Sequence, residues 1–400
     1  MATVMHIADL RSRSSPSSNG YPVMVLGYYA AGKGGGGLFV WDALATLDDD
    51  LGTVIRPNSL PAQGRWLRQT QGPMSLFDFG AGLRVGASDD TANVQAAINA
   101  ALRAATAQSR DTATTEIRAP ATAGGYPVST VTIAPSTSAR ITIRGDGSAS
   151  RLQKYGMGTD PIVNLIGTAG TTGCKLVDLA IRGTGKANTG LRAEFSLFDC
   201  EDVQITNCSV GLQSVGSLSS CFRRGALAGN TMAFWADSSG WSSNLFTFDG
   251  VSITGNDLAG QLDKADSLRW VGCNISGNVA CFSIGARISS QANRASLVWD
   301  ECWWESNGPS LITGSPLWVW LRIHGGAWYT PGGTISIGGN QNRVSLESVH
   351  DLARLETTDT SGRVSIRNSV LGSYSIATPH YELANVSTTH DQTAIGPSSS

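Results

Sequence analysis

Hydrolysis of a glycosidic bond takes two carboxyl groups, one to protonate the leaving oxygen and one to activate water or attack. They stand about 5–5.5 Å apart for retention and about 6.5–9.5 Å for inversion. Three carboxylates in this 400-residue chain have surroundings suited to that work: Asp249 in FTFD, Asp300 in LVWDE and Glu305 in CWWES. Trp303 and Tyr329 offer rings that can stack on the apolar face of a sugar, and Arg269, Arg322 and His324 can meet an acidic one. Each of these residues also has a plain structural role open to it. Asp stabilises bends, and a lone Glu or a His at a turn usually faces water.

Other chemistries find less support. The histidines, at 6, 324, 350, 380 and 390, give no defensible Ser-His-Asp set. Lys33 precedes glycines 34–37, but no Ser or Thr follows it and no GxxxxGK spacing exists, so a turn is the better reading. A lyase or epimerase would want a Lys, Arg or Tyr base and often Ca²⁺. From residue 174 on, the only lysines are Lys175, Lys186 and Lys264, and no acidic triplet suits calcium. No metal and no cofactor is expected. The seven cysteines (174, 200, 208, 221, 273, 281, 302) are odd in number and form no CxxC pair, which reads as reduced core residues. A net charge of −2 without a basic run argues against nucleic acid. No stretch approaches 18 apolar residues and the N-terminus has no apolar signal core, so no membrane insertion is expected, and synthesis in a cytoplasm is.

What must position the candidate residues is a repeat. From Cys174 a shape recurs: apolar, x, apolar, two bend residues, apolar, x, apolar. Its copies are CKLVDLAI, VQITNCSV from Val203, LAGNTMAF from Leu227, FTFDGVSI from Phe246, LRWVGCNI from Leu268, LVWDECWW from Leu297, LRIHGGAW from Leu321, VSLESVHD from Val344 and VSIRNSVL from Val364. Starts 19 to 29 residues apart fit coils of a parallel β-helix whose loops vary in length. An immunoglobulin-type sandwich gives no reason for one strand-bend-strand shape repeated in this way. The expected fold is all-β, a single-stranded right-handed parallel β-helix of about nine or more coils. Alternation along the strands sends Trp270, Trp299, Trp304, Trp328, Cys174, Cys208, Cys273 and Cys302 inward, and Trp303 and Glu305 outward. Tyr329 then lies above Glu305 and His324 above Asp300. Asp249 and Asp300 share the bend column two coils apart, with about 10 Å between their backbones.

Glycine numbers 47 and charged residues only 15% of the chain, as turn-rich β-structure requires. One helix is expected at about 90–107, where Val94, Ile98, Ala101, Leu102 and Ala105 make an apolar stripe and residues 89–91 can cap. A single amphipathic helix ahead of a long β-region suits the open end of a solenoid, which would otherwise invite edge pairing. Residues 1–75 read as a separate N-terminal region, 76–375 as the β-helix body and 376–400 as a polar tail.

The segment FDFGAGLRVGASDDTANVQAAINAA, residues 77–101, resembles the entry motif of the pectate-lyase-like β-helix superfamily, found in phage tailspikes and polygalacturonase relatives. Phe79, Gly80, Ala81, Asp89, Asp90 and Thr91 match it; Leu83, Arg84, Val85 and Gly86 stand where the family has a Gly-Asp pair, and the segment is one residue longer. The stretch from LGYYAAGKGGGGLFVWD to GRWLRQ, residues 26–68, looks like what precedes that motif in many tailspikes. ECWWESNG, residues 301–308, is similar to their recurrent strand ending in Glu-x-Asn. The resemblance implies a homotrimer on a virion, attached to baseplate or tail proteins through its N-terminal region, with the helix body on bacterial capsule or O-antigen. It implies cleavage of that polysaccharide, for which Glu305 and Asp300 are the candidate pair, Asp249 and Glu301 the next candidates, and Trp303, Tyr329, Arg269, Arg322 and His324 the binding residues. A glycan-binding or structural tail protein without catalysis, and a polysaccharide lyase, are the alternatives.

Overall fold

A computed structural model describes the chain except residues 15, 17, 60–61, 85, 87, 108–113, 136–139, 168–172, 240–241, 286–287, 289–294, 390–392 and 395–400. Val85, His390 and the last residues of the polar tail thus lie outside the described residues. The fold is a parallel β-solenoid of about 14 turns, in three parallel sheets of 13, 9 and 13 strands. The sequence reading began at Cys174, but earlier coils already supply strands such as Thr114–Ala119 and Arg140–Gly145, paired in parallel.

One unit comprises residues 1–156 and 172–180. Its N-terminal sheet has the strand order Ala2–Val4, Pro22–Val25, Gly37–Asp42, Arg65–Arg68, Val54–Ile55. Ile7, Leu10, Val23, Phe39, Trp41, Ile55 and Trp66 form its core. The glycine tract is a clamp for a cation: the buried Arg68 guanidinium donates to the carbonyls of Gly35, Gly36 and Gly52 and pairs with Asp78 at 3.2 Å. A phosphate loop would present N–H groups instead. The expected helix is Thr91–Ala107, with Val94, Ile98, Ala101 and Ala105 buried and Leu102 half-buried. It starts where the Asp89 carboxylate accepts from the Thr91 amide at 2.9 Å, and it packs on the strands of the first coils, chiefly Thr114–Ala119, Val131–Ile133 and Arg140–Gly145.

The other unit, residues 157–171 and 181–400, carries the candidate residues. Each coil as far as Ala327–Tyr329 turns through a first strand, a bend, a second strand and a third; the last coils keep only the first and third. In two copies the register is corrected: Gln204–Thr206 and Ala226–Ala228 are second strands paired with each other, and the first strands of those coils are Leu197–Glu201 and Cys221–Arg223. From Phe246 to Leu321 the pattern lies as read, with Trp270, Trp299 and Ile323 in register on successive coils. In the copies from Val344 and Val364 the register is corrected too: among the described residues no second strand follows the bend, and Val370–Ile376 belongs to the third sheet.

The lumen is an aromatic column. Phe248 and Trp270 stack at 5.5 Å, Trp270 and Trp299 at 4.6 Å, and Trp304 and Trp328 at 4.5 Å. Trp270, Trp299 and Trp328 find no acceptor for their indole N–H. Burying about 150–250 Å² of ring contributes about 4–6 kcal/mol, against about 1–3 kcal/mol for an unpaired donor, so burial wins. All seven cysteines are buried and free, and burial pushes the Cys174 and Cys208 thiols up to about 12, which keeps them protonated.

An asparagine ladder runs beside the column. Asn230, Asn256, Asn278 and Asn307 are buried on successive coils; each Oδ1 of the latter three accepts from the backbone N–H of the asparagine before it, at 2.9–3.0 Å. Their Nδ2 groups donate to the carbonyls of Ile205, Leu227, Ile253 and Ile275. The ladder satisfies turn groups that burial would otherwise orphan.

Candidate functional site

The last residue of each first strand faces outward at the bend, so these residues stack: Asp249, Val271, Asp300, His324 and Glu347, in that register. Val271 therefore separates Asp249 from Asp300, and the structure does not bring those two together. Instead Asp300 accepts from Arg269 Nη2 at 2.6 Å and meets His324 Nδ1 at 2.9 Å. The next residue, Glu301, holds a left-handed φ of +52°, in the bend position that Gly250, Gly272 and Gly325 fill on neighbouring coils. Its Oε1 lies 3.7 Å from His324 Nδ1 and its Oε2 accepts from the Gly326 amide at 3.3 Å. A Cβ on Gly325 would strike that carboxylate, so a glycine there lets Glu301 lie across the bend.

Beyond the bend, the second strand Trp303–Glu305 presents Trp303 and Glu305 to solvent while Trp304 points into the lumen. Trp303 Nε1 donates to Glu305 Oε2 at 3.0 Å, and the Trp303 and Tyr329 rings lie 5.0 Å apart at 45°. Both rings are exposed. A shallow depression of about 440 Å³ lies between the two groups, lined by Glu301, Trp303, Gly325, Gly326, Ala327 and His350 among others. The structure therefore assembles Asp300, Glu301, Arg269 and His324 on one side of the bend and Trp303, Glu305 and Tyr329 on the other. Arg322 is held elsewhere, its guanidinium 3.3 Å from the centroid of Trp320.

Asp300, Glu301 and His324 also place ligand atoms within 4.8 Å of one another, the one such group of three found among the described residues. The Arg269 guanidinium already neutralises Asp300, which opposes a divalent cation there.

The hydrogen bond to His324, then that to Arg269, holds the Asp300 carboxyl below its usual range, and the bond to Asp300 raises His324. The charged pair therefore forms above the lowered Asp300 pKa and is lost as pH rises through the raised His324 pKa, above about 6.5. NMR titration is expected to place His324 above its ordinary value in the native chain and to return it there in Asp300→Asn. Identical titration in both would show that the pair does not form.

Residues 3–71 match the family described as the phage tail protein small four-stranded beta-sheet domain. A defective tail fiber protein of a Mu-like prophage of Haemophilus influenzae is 26% identical over 317 residues, 76% of this chain and 47% of that protein. The enzymatically active domain of tailspike protein 2 of bacteriophage CBA120 aligns with a TM-score of 0.64 and 17% identity, over 96% of this chain and 57% of that one. The chain shares its parallel β-helix fold with that tailspike domain. A second tailspike, from Acinetobacter baumannii bacteriophage Fri1 and described as a capsular polysaccharide depolymerase, aligns with a TM-score of 0.60 and 13% identity, over 99% of this chain and 76% of that one. The chain spans about half the length of the first two of these proteins. No helix among the described residues is long and apolar enough to cross a membrane.

Sequence reasoning gave Glu301 only a reserve place, because the bend rather than the strand alternation aims its side chain. It missed Trp320, Arg343 and Arg363 altogether, although WLR, RVS and RVS at matching offsets were there to be aligned.

Proposed function

We propose that this chain is a phage tail spike whose outer face, around the bend of the Ala295–Glu305 coil, binds a bacterial surface polysaccharide, capsule or O-antigen, and hydrolyses it. The observation that carries the reading is the exposed Trp303–Tyr329 pair beside Glu305, one bend away from a carboxylate cluster. Exposed paired rings are costly to leave in water and are suited to stacking on pyranose faces. The tailspikes of similar fold, one of them described as a depolymerase, agree with it. Asp300, kept ionised by Arg269 and His324, takes the part of base or nucleophile. Glu301, with a carboxylate oxygen within 4.8 Å of one on Asp300, is the first candidate acid, and Glu305, across the bend, is the other. Residues 1–75 are the attachment region to tail or baseplate proteins, in a homotrimer carried on the virion.

A non-catalytic binder is favoured by one feature, the ion pairs that neutralise Asp300. Affinity electrophoresis in gels containing host surface polysaccharide distinguishes binding from its absence. Trp303→Ala is expected to weaken retention by about tenfold or more, the worth of one stacked ring. Equal retention of both proteins would remove this face from the account.

A further inference from the structure

We propose that a second groove, on the outer face of the first-strand sheet in the last coils, is an anion-binding subsite for carboxylate-bearing sugar residues. The proposal rests on the glycan-binding reading above and names the class of glycan. Trp320, Arg343 and Arg363 are register partners on three successive coils, with Arg322 flat against the Trp320 ring at 3.3 Å and Arg343 5.9 Å from it. A groove of about 540 Å³ is lined by Trp320, Arg343, Arg363, Arg367, His380 and Glu382, among others.

Glu382 is the groove's one carboxylate, and it pairs with Arg367 at 2.8 Å. Among the described residues no carboxylate lies within ion-pair distance of Arg343 or Arg363, although the chain as a whole carries a net charge of −2. Like charges directly opposite on neighbouring strands destabilise a sheet. Two exposed guanidiniums in register, without a counter-charge, are therefore an arrangement that folding disfavours and an anion relieves. The Arg322 guanidinium lies over the Trp320 ring that lines the groove, and its buried Nε has no acceptor. Planar forks on adjacent coils, about 4.8 Å apart, suit the carboxylates of uronic acids along one extended chain. Ser345 and Ser365, in register between the arginines and the bend, add hydroxyls for the sugar.

The test is affinity electrophoresis of the full chain in gels containing polygalacturonate, with dextran as the neutral comparator. The native chain is expected to be retarded by polygalacturonate, and Arg343→Gln/Arg363→Gln to lose at least tenfold in affinity. Arg354→Gln, which removes one charge from another sheet, is expected to bind as the native chain does. The unfolding midpoint of the double variant should equal or exceed that of the native chain, because repulsion is relieved. Unaltered binding by the double variant, an equal loss in Arg354→Gln, a lowered midpoint, or a native chain indifferent to polygalacturonate would each overturn the proposal. Trp303-dependent retention by host polysaccharide without any by polygalacturonate would discard the acidic subsite and leave the glycan-binding reading intact; absence of both would discard the two together.

Discussion

Trp304→Ala is expected to destabilise the chain by about 3–5 kcal/mol, while Trp303→Ala, one residue away, costs under about 1 kcal/mol. The two side chains differ only in which way the strand turns them. Trp304 is fully buried, stacked on Trp328 at 4.5 Å and within 5.9 Å of Phe282, and its removal leaves a cavity that rigid coils cannot close. Trp303 is 44% exposed and touches chiefly Tyr329 and Glu305. Denaturant unfolding of both variants checks this. Equal losses would mean that the lumen and the outer face have been exchanged, and with them every candidate binding residue.

Chemistry carries the other large effect. If Asp300 and Glu301 are the hydrolytic pair, Asp300→Asn and Glu301→Gln each lower oligosaccharide release by about 10²–10⁴-fold with retention on the polysaccharide preserved. Their oxygens lie within 4.8 Å, close to the spacing of retaining pairs, and Asp300 is the one held ionised. Release is to be measured as new reducing ends. Glu305→Gln separates the two possible acids: it should leave most of the rate, since Glu305 sits across the bend and receives the Trp303 N–H. A rate lost in Glu305→Gln and kept in Glu301→Gln would restore the pair that strand alternation alone suggests.

Much of this molecule was readable because period-2 alternation, repeated coil after coil, over-determines the inward face: Trp270, Trp299, Trp304 and Trp328 are buried as the pattern requires. The register failed at Val203 and Leu227 for a physical reason. All three strands of a coil look alike as apolar-x-apolar, and only the bend distinguishes them. In those coils the second strands, Gln204–Thr206 and Ala226–Ala228, took the place of the first in the reading. The asparagine ladder had a visible signal in the recurring Gly-Asn of residues 229–230, 255–256 and 277–278, where a left-handed glycine precedes a buried amide. Contacts along the solenoid axis were the least legible. The bend column did put His324 above Asp300, as found; the ion pair of Asp300 with Arg269 and the alignment of Arg343 with Arg363 were not read, because side-chain reach across coils and the loop lengths between them leave no pattern in the sequence.

The central claim is that the outer face of these coils binds bacterial surface polysaccharide, and retention of the native chain on intact host cells tests it most directly. The account predicts that the protein binds encapsulated or O-antigen-bearing cells, that cells stripped of that polysaccharide lose it, and that Trp303→Ala binds weakly while remaining folded. Equal binding to intact and stripped cells, or none to either, would contradict it.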